Sequence, residues 1–79
     1  MEKEISPITL AEQYRGCGTV VHLIKGTIFI KIIGTYIFHG DNMHTITAHN
    51  DTSYVDFHTA DIERIIYKPS INVLNITLK

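Results

Sequence analysis

The chain has one cysteine, two prolines and no tryptophan among its 79 residues. A lone Cys17 cannot build a disulfide framework, and it fits a reducing compartment. Charge is also sparse: 19% of residues are charged against 44% hydrophobic, and the net charge is −1 with histidines neutral. That balance excludes a disordered polyelectrolyte and lacks the basic excess of most nucleic-acid binders. Lys25, Lys31, Arg64 and Lys68 are scattered between acids along the chain.

Long apolar runs are missing too. The longest, "TIFIKIIGTYIF", is interrupted by Lys31 and falls well short of the ~20 residues a membrane helix needs. The opening "MEKEISPITL" is mixed in charge and has no apolar leader segment. These absences lead us to expect a cytoplasmic protein without a membrane partner, folded as one small domain over 1–79.

Catalytic constellations are equally scarce. Cys17, in "RGCGT", is the one thiol nucleophile, and His22 sits at the wrong strand parity to face it. Asp51, Asp56, Asp61 and Glu63 show no spacing that forces two carboxylates together. The glycines of "RGCGT" are too few to cradle phosphate. We therefore expect neither an enzyme nor a cofactor.

What is abundant is isoleucine and threonine, β-branched residues that favour strands. One helix precedes them. Ser6 is placed to cap, Pro7 suits the first helical position, and Ile5 and Leu10 stand at staple spacing, which predicts a helix over 7–15 ending near Gly16. From Gly18 the apolar period becomes two. "GTVVHLIK" and "TIFIKIIGTYIF" read as strands joined at Lys25-Gly26, with Gly34 marking a bulge or bend. "HGDN" and "HNDT" read as turns around a strand "MHTITA", with Ile46 and Ala48 inward, His44 inside the strand, and His39 and His49 at strand ends. "SYVDFH" follows, then a turn at "TAD", a strand "IERIIYK" stopped by Pro69, and a closing strand "INVLNITL". The expected fold is mainly β: a short N-terminal helix, then, over 18–78, a small strongly bent antiparallel sheet or SH3-like barrel of five to six strands.

The stretch "IIGTYIFHGDNMHTITAHN", about a quarter of the chain, loosely resembles the glycine, strand, aspartate-turn, strand pattern of Sm-like RNA-binding proteins. Gly34 and Asp41 are its fixed points, and "DIERIIYKPS" lacks that family's closing motif. The resemblance implies a helix followed by strands, the second of them long and bent.

Two sets of residues carry functional expectations. His39, Asp41, His44, His49 and His58 are metal-ligand types, but the five-residue steps between His39, His44 and His49 match no zinc-finger spacing and alternate strand faces. Solvated turn histidines are the simpler reading. The second set is apolar. If Ile28, Ile30, Ile32, Tyr36 and Phe38 face the core, then Phe29, Lys31, Ile33 and Ile37 face outward. The last strand is apolar on both parities, so Val73, Leu74 and Ile76 look like a sticky edge. Tyr36, Tyr54 and Tyr67 supply aromatic anchors. The expectation is a homo-oligomeric, non-enzymatic module for a protein partner, of the kind an inhibitor protein represents. Nucleic-acid or nucleotide binding is the alternative, and metal binding by the histidine-rich turns a further one.

Overall fold

The computed structural model describes residues 2–14, 18–39 and 44–79, with the backbone alone for Ala11, Phe38 and His39. The first strand, β1 (Lys3–Glu4), is too short to show in a sequence pattern. The helix α1 (Pro7–Gln13) starts as its sequence predicts: Ser6 is extended and its hydroxyl accepts the Thr9 amide at 3.2 Å, with Pro7 next. Leu10 is fully buried, and Ile5 packs against the same core. The helix gives way at Tyr14, two residues early by the sequence reading. Gly16, Cys17 and the expected turn residues Gly40, Asp41 and Asn42 lie outside the described residues.

Six further strands follow: β2 (Thr19–Lys25), β3 (Ile28–His39), β4 (Thr45–His49), β5 (Tyr54–His58), β6 (Ile62–Lys68) and β7 (Val73–Leu78). A single 3₁₀ turn, Thr59–Asp61, joins β5 to β6, as "TAD" before "IERIIYK" suggests. His44 precedes β4 instead of lying within it, while His49 and His58 end β4 and β5. At the β4–β5 turn Asn50 does the work of several backbone groups. Its Oδ1 accepts from the Thr52 amide, the Thr52 hydroxyl and the Ser53 amide, and its Nδ2 donates to the Ile33 carbonyl at 2.8 Å.

The strands form one seven-stranded mixed sheet in the order β1-β6-β7-β2-β3-β4-β5. The expected antiparallel sheet or SH3-like barrel of five to six strands is corrected on each count. There are seven strands, β2 and β7 run parallel, and the sheet neither closes nor curls strongly, leaving β1 and β5 as its edges. The closing strand is the physical reason. Instead of ending the sheet, β7 inserts between β6 and β2 and is laddered on both sides. Leu74, Ile76 and Leu78 fill the inner face, while Asn75 and Thr77 alternate with them on the other, so an interior strand here carries the same period of two as an edge strand. The inner face buries Val21 and Leu23 of β2, Ile65 of β6, and Leu74, Ile76 and Leu78 of β7, with Ile37, Ile46, Ala48 and Phe57 from the far half and Leu10 from α1.

Candidate interaction face

Gly34 decides which side chains of β3 face out. Its φ is +65°, and the β2–β3 register slips by one residue there: Val21 opposes Ile32, but Thr19 opposes Thr35. An extra residue in one strand shifts side-chain parity beyond it. Before the bulge the even residue Ile32 is buried; after it the odd residues Thr35 and Ile37 are. The sequence predicts the bulge, and the parity it shifts is what places Ile37 inside. Ile37 is consequently a core residue, fully buried, and not part of an outer face. Tyr36 takes the outward place.

The outer face follows from the register. Glu4, Ile66, Asn75, His22 and Lys31 form one row across β1, β6, β7, β2 and β3. Arg64, Thr77, Ile24 and Phe29 form the next. His22 Nδ1 lies 3.1 Å from Asn75 Oδ1, and its ring centroid is 5.0 Å from that of Phe29. In the far half, Tyr36, His49 and Tyr54 share a row, with the Tyr36 and His49 rings 5.7 Å apart. Beside them the Thr47 hydroxyl donates to Asp56.

α1 lies on the inner side, and the β3–β5 part of this outer face keeps its large side chains in solvent. Phe29 is 57% exposed, Ile33 62%, Tyr36 45% and Tyr54 74%, and Lys31 is exposed among them. Five of the expected contact residues thus fall on one face. The others do not. Leu74 and Ile76 are fully buried on the inner face, Ile37 likewise, and Val73, though on the outer parity of β7, is only 6% exposed. Tyr67 is half-buried: its ring packs 4.8 Å from Tyr14 and its hydroxyl donates to Asn72 Oδ1 at 2.9 Å.

The histidine set does not assemble. Among the described residues, no three His, Cys, Asp or Glu side chains are grouped to hold a metal ion. His44 and His58 stand at one end of the β4–β5 pair and His49 at the other. Asp41 is outside the described residues, as is the side chain of His39.

Sequence reasoning missed Ile28 and Ile30, assigned to the core yet 59% and 39% exposed. They border an open groove of about 300 Å³ with Leu23, Phe57 and Leu78 at its floor and Lys25, Asp56, His58 and Asp61 around it. A signal for the pairing was available: a tight turn between Lys25 and Ile28 fixes His22 opposite Lys31 and Ile24 opposite Phe29. Compared with known protein families, curated proteins and solved structures, the chain shows no significant match.

Proposed function

We propose that the chain is a non-enzymatic β-sheet module that self-associates and holds a protein partner through its uncovered face. The observation that carries this reading is the exposure of Phe29, Ile33, Tyr36 and Tyr54 on one side of the sheet, with Lys31 and His49 among them. Single apolar residues on a surface are ordinary, but several large ones on the same face of one sheet commonly mark a contact site. Tyrosine and phenylalanine beside a polar fringe are the residue types that dominate binding hot spots. Covering a partner's surface, as an inhibitor does, is an activity such a face supplies without chemistry.

Native mass spectrometry of the protein from cells tests it, alongside Ile33→Asp. We expect an assembly of two or more copies, with any co-purifying polypeptide lost in the variant. A monomer without a protein partner would overturn the reading.

One observation favours a second reading. Lys31, Arg64 and Lys68 are scattered in sequence but lie on the same outer face as Phe29 and Tyr36. Cations around aromatic side chains suit single-stranded nucleic acid. Lys68 is partly neutralised by Glu2, 3.8 Å away, and Glu4 shares the face. The salt dependence separates the two: counterion release gives nucleic-acid binding a steep slope, and an apolar protein contact lacks it.

A further inference from the structure

We infer that a second copy of this chain docks along the free half of β3, pairing strand to strand about a twofold axis at Ile30. The inference rests on the self-associating module proposed above and names the surface that joins the copies.

The first half of β3 is an edge in the middle of a sheet. Residues Ile28–Ile32 pair with β2 on one side, but β4 joins the other side only from Tyr36 onward. Among the described residues no strand occupies that side of Ile28–Ile32. The Asn50 amide closes it off at the Ile33 carbonyl, just short of the bulge. An unpaired strand carrying large apolar residues on both faces is a template for another strand. Ile28, Phe29 and Ile30 are all substantially exposed.

The sequence of this edge selects its partner. Two copies of one strand paired antiparallel about a twofold axis must centre on a residue, because opposed residues share a face. Centring on Lys31 sets two like charges directly opposite each other, which is unfavourable. Centring on Phe29 runs the pairing into the Gly26 turn almost at once. Centring on Ile32 drives it through the Gly34 bulge and into β4. Ile30 remains. There Ile28 meets Ile32 of the second copy, and Phe29 meets Lys31, an aromatic–cation pair made twice by symmetry. The isoleucines then share the side on which the groove by Leu23, Phe57 and Leu78 opens, while Phe29 and Ile33 of both copies extend one outer face.

The test is cross-linking with a measured association state. In a Cys17→Ser background, Ile30→Cys should give a covalent dimer on oxidation or with the shortest bis-thiol reagent. Thr52→Cys, in the β4–β5 turn, should not. Phe29→Lys, which sets lysine against Lys31, should weaken dimerisation roughly tenfold by sedimentation. Its circular dichroism should stay native, because the side chain it replaces is exposed. A dimer that Ile30→Cys fails to capture, or that Phe29→Lys leaves intact, overturns this edge and leaves self-association standing. A monomer at all concentrations overturns both.

Discussion

Two residues fix how the far half of the sheet sits on the near half. Gly34 holds φ at +65°, and a methyl group built on it would meet no atom within 4 Å. The objection to a side chain there is therefore conformational, about 1–2 kcal/mol for a non-glycine residue in left-handed backbone. Gly34→Ala should lower the melting temperature by several degrees, at about 4–8 °C per kcal/mol in a domain this small. Gly34→Asn should lower it less, since asparagine tolerates that region. Equal losses would mean that packing, not backbone, governs the site. Asn50 is the second residue. Asn50→Ala removes its hydrogen bonds to both the turn and the Ile33 carbonyl, for about 1–2 kcal/mol. Asn50→Asp keeps the acceptor for Thr52 and Ser53 but loses the donor to Ile33, so its urea midpoint should fall between wild type and alanine. An aspartate variant as weak as alanine would place the whole effect in the cross-link to β3.

At the scale of elements, the strand that looked like an edge is an interior strand, laddered on both sides. Ile76 is fully buried, while Ile71, five residues earlier and equally apolar, is 62% exposed in the turn before β7. Ile76→Ala should cost about 2–5 kcal/mol, and Ile71→Ala should stay within about 0.5 kcal/mol. Backbone amides of β7 should exchange more slowly than those of β5, which has a neighbour on one side only. Fast exchange in β7 would contradict its interior position. The mistake is instructive about what a sequence holds. Ser6-Pro7, Gly34, the Asn50 turn and "TAD" were legible because each acts through local backbone chemistry. The parallel pairing of β7 with β2 was not, because it joins residues some fifty positions apart and leaves the same period of two as an antiparallel strand. Ile37 lies between these cases: its burial follows from a bulge that was visible, combined with a parity step that must be counted from it. Of the face itself, Phe29, Lys31, Ile33, Tyr36 and Tyr54 were legible as outward or aromatic, and their falling on one face required the register.

For the whole molecule, the question is how so short a chain holds together with so much apolar surface left in water. A domain of this length buries a modest fraction of its surface and sits near the limit of independent stability. It has no disulfide among the described residues and no metal cluster there to add to its core. Self-association as proposed would add to what the core supplies, because a partner that binds the folded chain and not the unfolded one raises stability by mass action. The melting midpoint should therefore climb with protein concentration across about a hundredfold range. Phe29→Lys should flatten that climb while leaving the dilute midpoint unchanged, since Phe29 is 57% exposed in the single chain and lies in the proposed contact between copies. A wild-type midpoint that ignores concentration would mean that the monomer's own core is sufficient. The exposed face would then serve a different protein alone. If instead Phe29→Lys lowers the dilute midpoint as well, Phe29 supports its own sheet through His22 and Ile24, and its exposure understates its structural role.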